Sequence, residues 1–147
     1  MTPVAAGQIT IRRVDGKSKE AAHDLYSMQE ACLPDDAPAD VSRGHWWIAE
    51  DDDEPVGFAG LYRSVNWDNG VYLVRSGVMP SHRGNGLQKR LIRVRLAFAK
   101  RSGFKLAVSE TTFNPPSANS LIACGFKTFT PPNLWGPKGA IYFRKNI

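Results

Sequence analysis

The 147-residue chain carries 19 Lys and Arg against 14 Asp and Glu, a formal net charge of +5, with 42% hydrophobic residues and two cysteines. That length suits one domain, expected to span residues 1–147, whose core needs no metal or disulfide; Cys32 and Cys124 make neither a disulfide framework nor a zinc or redox spacing. No apolar run approaches the roughly 20 residues that cross a bilayer, and residues 1–7 lack the basic and apolar regions of a leader, so a soluble, reduced, cytoplasmic protein without a membrane partner is expected.

After a loose start, residues 8–14 alternate apolar and polar side chains, many β-branched, and read as a strand closed by Asp15-Gly16. Between Ser18 and Cys32 the apolar positions Ala21, Ala22, Leu25, Met28 and Ala31 recur at helical spacing, with Ser18, Glu20 and Asp24 suited to the first turns. Residues 33–40 break regular structure with two prolines and three acids, leaving room for a short helix before Gly44. Residues 45–50 and 55–63 read as two strands of a hairpin around the acidic turn 51–54; without a histidine at ligand spacing these acids are a solvated turn, and no metal is assigned. Asn69-Gly70 marks the turn into an apolar strand that ends at Val78.

The strand leads into Met79-Pro80-Ser81-His82-Arg83-Gly84-Asn85-Gly86-Leu87-Gln88, a glycine-bearing turn that opens a helix near Gly84. Two glycines let backbone approach a ligand, and the unpaired amides of a helix's first turn favour phosphate; taken alone, the pair equally well just shapes a strand-to-helix turn. Leu87, Leu91, Val94 and Phe98 form the apolar stripe of this helix, opposite a basic side of Lys89, Arg90, Arg93, Lys100 and Arg101 that is by default solvated, and Arg95 falls inside the apolar sector. After Ser102-Gly103, residues 104–112 make a strand, Asn114 caps a helix with Pro115 at its start, and 127–130 and 140–144 close the chain as a strand pair. The order gives a mixed α+β sandwich without repeats.

Val78-x-Pro80-x-x-Arg83-Gly84-x-Gly86-Leu87 resembles the pyrophosphate loop of the GNAT superfamily of N-acetyltransferases, whose core signature is Gln/Arg-x-x-Gly-x-Gly/Ala. Arg83 and Gly86 match, and Gln88 stands where Gly or Ala is usual. Downstream, Asn114-x-x-Ser117 precedes Gly125-Phe126 by the spacing this superfamily uses for its cofactor-contacting Asn and the end of the next helix. The resemblance implies a mostly antiparallel central sheet flanked by helices, an α/β/α sandwich, and acetyl-CoA as acetyl donor to a primary amine. It places the cofactor on Val78, Arg83, Gly84, Asn85, Gly86, Leu87, Gln88 and Asn114, with Arg90 or Arg93 as candidates for its 3′-phosphate. Asn114 reads equally well as a helix cap alone.

Acetyl transfer from a thioester needs an oxyanion donor, for which the Val78 amide is the candidate, and a base for the amine. Glu110 is the one acid among residues 71–147 and ends the strand bordering the expected cleft, although a salt bridge explains it too; Glu50 is the alternative. The superfamily's glutamate on the strand before the loop has no counterpart here, and its usual acid, a Tyr seven residues after the Asn, is replaced by Leu121. Ser117 is the catalytic candidate beside Glu110, with Ser120 and Tyr142 as other proton carriers. Leu121 also leaves open an acyl-CoA sensor without turnover.

Residues 1–70 hold 6 basic and 13 acidic residues, and residues 71–147 hold 13 basic and one acidic. The basic half suits a polyanion, either CoA or, as the weaker alternative, nucleic acid. Acids in 33–40 and the Trp46-Trp47 pair point to a cationic amine acceptor, although at least one tryptophan belongs in the core of an alternating strand. Trp135 reads as lining the acceptor mouth or covering the core, the histidines as structural or surface groups, and a homodimer is compatible with the sequence.

Overall fold

A computed structural model describes residues 8–147, and the lead-in at 1–7 lies outside the described residues. Seven strands form one sheet in the spatial order β1 (Ile9–Val14), β2 (His45–Asp51), β3 (Glu54–Arg63), β4 (Gly70–Val78), β5 (Leu106–Thr111), β7 (Ile141–Asn146) and β6 (Lys127–Phe129). Every neighbouring pair is antiparallel except β4 and β5, which are joined through helix α2 (Leu87–Arg101) as a parallel crossover requires. Helices α1 (Lys19–Cys32) and α3 (Pro115–Ala123) complete the fold.

Strand alternation decides which helix covers which face. Trp46, Ile48 and Phe58 point to one side and pack on Leu25 and Met28 of α1, whereas Trp47, Leu61 and Leu73 point to the other and join Ile92 of α2 and Leu121 of α3. The result is the expected α/β/α sandwich. Both tryptophans are core, at 0% and 3% exposure, so neither offers an aromatic face to an acceptor. The acidic run 51–54 is the hairpin turn, with Asp52 and Asp53 at φ +51° and +68°, the left-handed pair that suits a tight two-residue connection.

Helix α2 begins at Leu87, three residues later than expected, because Gly84 and Gly86 sit at φ +84° and +76° and cannot join a right-handed helix. Its buried face is Leu87, Leu91, Ile92, Arg95 and Ala99; Val94 and Phe98 are half-buried at the edge. The stripe is rotated because Arg95 is held inward: its Nε donates to Leu91 O at 3.0 Å and a terminal nitrogen to Gly60 O at 3.1 Å. No helix forms between Leu33 and Gly44. Instead the buried Gln29 side chain holds that loop from α1, accepting from Ala39 N at 2.8 Å and donating to Ala39 O at 3.2 Å.

Two irregularities in the middle of the sheet create the site. Ala59 pairs with Ser76 but Leu61 with Leu73, so Gly60 alone faces both Val74 and Arg75, a bulge that bends β4. A Cβ at Gly60 would come within 2.6 Å of the Trp46 ring and 2.7 Å of Val74, which accounts for glycine there. Already before the bulge β4 leaves β5: they pair only at Gly70–Leu106, Val71–Ala107 and Tyr72–Val108. The buried Ser109 hydroxyl bridges the first open step, donating to Leu73 O at 3.1 Å.

Candidate active site

The parting strands leave a gap that opens into two connected clefts. One, of about 700 Å³, lies between the end of β4 and the start of α2 and is lined by Ser76, Gly77, Val78, Arg83, Gly84, Gly86, Leu87, Gln88 and Lys89 with Cys32 beside them. The other, of about 380 Å³, lies between the middle of β4 and β5 and is lined by Tyr72, Arg75, Arg95, Glu110, Thr111 and Trp135, with Asp36 at the rim. Leu33, Ser76, Gln88, Asn114 and Ser117 line both, so the clefts meet at those residues.

In the larger cleft the backbone supplies the chemistry. Met79 N donates to Val56 O at 2.8 Å, which makes the Gly57–Val78 pair one of the non-hydrogen-bonded positions of the ladder. The Val78 amide therefore turns away from β3 into the gap, and so does that of Ser76 two residues earlier. The 83–88 loop adds exposed backbone: a Cβ at Gly84 or Gly86 would meet nothing within 4 Å, so both sit over open space, next to the unpaired first-turn amides of α2. This is a concave, donor-rich surface of the kind that fits a pyrophosphate.

Side chains lock that surface in place. Arg83 Nε donates to Val78 O at 2.9 Å, folding the arginine back over the strand end, and Gln88 Nε2 donates to Ser76 Oγ at 2.8 Å, tying the helix start to β4. His82, almost fully buried, bonds the Ser81 hydroxyl at 2.6 Å and the Asp51 carboxylate at 2.8 Å, which fastens the loop to the β2–β3 turn. Burial pushes the Cys32 thiol above its ordinary value, partly offset by the Arg83 guanidinium.

In the smaller cleft side chains do the work. Tyr72 donates its hydroxyl to Glu110 Oε1 at 2.5 Å and Trp135 Nε1 donates to Glu110 Oε2 at 2.9 Å. Burial and then the facing Glu110 carboxylate push the Tyr72 phenol far above its ordinary value, so it stays protonated at any ordinary pH. A phenol oxygen that donates to a carboxylate keeps a lone pair for an incoming N–H, and the two groups form a proton path from cleft to carboxylate. Arg75 and Arg95 line the same cleft, and burial pulls the Arg95 guanidinium below its ordinary value.

Of the residues singled out from the sequence, most converge. Val78, Arg83, Gly84, Gly86, Leu87 and Gln88 line the larger cleft; Leu87 does so while its side chain is 2% exposed and part of the core, whereas Asn85 is exposed in the loop but not in the cleft lining. Asn114 caps α3 by accepting from Ser117 N at 3.2 Å and also stands at the junction of the clefts, so both readings of it hold geometrically. Glu110 is in the cleft rather than in a salt bridge, while Glu50 pairs with Arg12. Tyr142 donates nothing to the cleft; its hydroxyl accepts from Gly136 N at 2.9 Å. Tyr72, Arg75 and Thr111 were missed, and no local pattern around them signals a role. Part of the basic half is spent on structure: Arg90 bonds Ile9 O at 2.9 Å, Lys145 bonds Cys124 O at 2.7 Å and Arg144 stacks on Phe129.

Comparison with known proteins agrees with this geometry. The model of the acetyltransferase (GNAT) family matches residues 10–126. N-acetyltransferase 8B of Rattus norvegicus is 29% identical over 129 residues, covering 78% of this chain and 58% of its own. N-acetyltransferase 8F1 of the same organism is 31% identical over 106 residues, covering 65% and 48%. The chain thus spans about half the length of the curated relatives it matches. Among solved structures, a Bacillus subtilis acetyltransferase in complex with CoA superposes with a TM-score of 0.75 at 18% identity, covering 95% of this chain and 99% of that one. Among the described residues no helix is long and apolar enough to cross a membrane.

Proposed function

The chain belongs to the GNAT family of acetyltransferases, and from that premise we propose that it moves an acetyl group from acetyl-CoA to a primary amine by direct attack on the thioester. The observation that carries this reading is that the cleft beside the gap-facing amides at the end of β4 is continuous, through Ser76, with the cleft that holds the Tyr72–Glu110 pair.

Acetyl-CoA supplies the activated acetyl group. The amides around Gly84 and Gly86 and the first turn of α2 hold its pyrophosphate, and the edge of β4 from Ser76 to Val78 accepts its pantetheine arm as an added strand. The Val78 amide donates to the carbonyl oxygen as it gains charge, a contribution of about 3 kcal/mol for a well-placed donor. Tyr72 accepts the amine proton while passing its own to Glu110, which leaves the amine nitrogen neutral for attack. A thiol pKa of about 8.5 lets the thiolate depart without strong acid help, so Leu121, buried beside the cleft, need not be a proton donor. Ser117, which lines both clefts, is the candidate to return a proton to the sulfur.

Calorimetric titration with acetyl-CoA, using dephospho-CoA and ATP as controls, tests the donor half. Thiol release with a panel of primary amines tests the transfer. Selective micromolar binding with amine-dependent thiol release supports the proposal, and failure to bind acetyl-CoA contradicts it. Binding without turnover on any amine favours the sensor reading that Leu121 had left open.

A further inference from the structure

The smaller cleft holds a cation that the protein itself does not neutralise. Arg75 projects from the β4 bulge into both this cleft and the hollow beneath the 33–40 loop. Its Nε is buried without a hydrogen-bond partner, and its one bond, from a terminal nitrogen to Ala37 O, is a long 3.5 Å. Among the described residues it makes no ion pair, and the same holds for Arg95, which lines the same cleft at 2% exposure. The Thr111 hydroxyl, also in the lining, is likewise buried and unpaired. Buried polar groups are as a rule partnered, and a guanidinium without a counter-ion in a cleft matches a planar carboxylate in shape and charge.

On the acetyl-transfer reading above, we infer that the acceptor is an amine that carries a carboxylate, of the free amino acid type, and that Arg75 binds that carboxylate. Arg75 precedes Ser76, one of the residues shared by the two clefts, and its side chain lines the same cleft as Tyr72 and Glu110, so one molecule in that cleft meets both the guanidinium and the Tyr72–Glu110 pair. The opposite charges divide accordingly: Glu110 with Tyr72, and Asp36 at the rim, face the ammonium, whereas Arg75 and the more distant Arg95 face the anion. Of the two features that pointed to a cationic acceptor, the tryptophans drop out because Trp46 and Trp47 are core, whereas Asp36 of the 33–40 acids lines the cleft together with two guanidinium groups.

The test is thiol release from acetyl-CoA with the twenty common amino acids, each compared with its α-carboxamide, plus spermidine as a polycation. At least one amino acid is expected to be used with a kcat/KM about 10²-fold above that of its carboxamide, since removing the anion leaves the guanidinium unpaired. In Arg75→Gln that ratio is expected to collapse toward one, with Arg75→Lys keeping part of it, while acetyl-CoA affinity and melting temperature report that both variants fold. Equal or better use of the carboxamides or of spermidine overturns the inference. So does turnover with none of the amino acids; acetyl-CoA titration on the same sample then separates the two failures, because retained binding spares the donor assignment and lost binding removes the transferase reading as well. A discrimination ratio unchanged in both Arg75 variants also overturns it.

Discussion

The two halves of the cleft are built from different material. The donor half is backbone: the Ser76 and Val78 amides turned into the gap and a loop with two glycines at positive φ, held by Arg83, Gln88 and His82 from behind. The acceptor half is side chain: Tyr72 and Arg75 from β4, Glu110 from β5 and Trp135 from the β6–β7 connection. Backbone donors suit a ligand that is always the same, because they offer fixed geometry with no charge to desolvate. Side chains can be exchanged singly, so the half that must distinguish acceptors is the half built from them. The donor half is therefore sensitive to conformation and the acceptor half to chemistry.

The largest expected break comes from Glu110→Gln, which keeps the shape and removes the proton acceptor: the acetylation rate should fall by roughly 10²- to 10⁴-fold, with acetyl-CoA affinity by calorimetry close to wild type. Next is Gly86→Val, whose φ of +76° is strained for a β-branched residue although a Cβ has open space. Left-handed strain of about 1–2 kcal/mol, expressed in the loop that holds the pyrophosphate, should weaken acetyl-CoA by about 10-fold or more and leave the rate at saturation much less affected. Tyr72→Phe removes the link between cleft and carboxylate and should slow turnover by about 10-fold, with KM for acetyl-CoA unchanged; an equal loss of acetyl-CoA binding would mean the halves are not separable.

The smallest effect is read from Cys32 in the donor lining. Burial raises its thiol, so the folded protein holds that proton to higher pH than an unfolded chain does. Two consequences follow with opposite readouts. Alkylation by iodoacetamide should be slower than for a free thiol at pH 7.5 and should rise only above the pH range in which a free thiol ionises, with acetyl-CoA slowing it further. Global stability should lose the matching contribution as pH climbs above the unfolded thiol's pKa. Protection by an amine substrate instead of acetyl-CoA would place Cys32 in the wrong half.

The same division explains what the sequence disclosed. The loop between β4 and α2 was legible because its conformation is encoded locally: Gly84 and Gly86 at that spacing dictate the backbone, and Asn114-Pro115 dictates the start of α3. The strands and helices followed from periodicity, missing only where a local conformation overrode it, as in the late start of α2. The acceptor half was legible at Glu110 alone, and only because it is the single acid in its half of the chain. Tyr72 meets Glu110 across 38 residues, and their contact depends on a parallel pairing that stops at Tyr72. Arg75 faces the cleft because of a bulge set by Gly60, and Arg95 is buried because Gly60 O accepts from it. None of these has a signature within a short window. Trp46 and Trp47 misled for the same reason, since both faces of β2 are covered and alternation could not send either to solvent.

One experiment addresses the separation directly: thiol release followed as a function of acetyl-CoA concentration in Glu110→Gln and Gly86→Val side by side, at saturating amine. Glu110→Gln is expected to lose kcat and keep KM for acetyl-CoA, whereas Gly86→Val should raise that KM and keep most of kcat. Matching losses in both variants, or an unchanged kcat in Glu110→Gln, would contradict the separation.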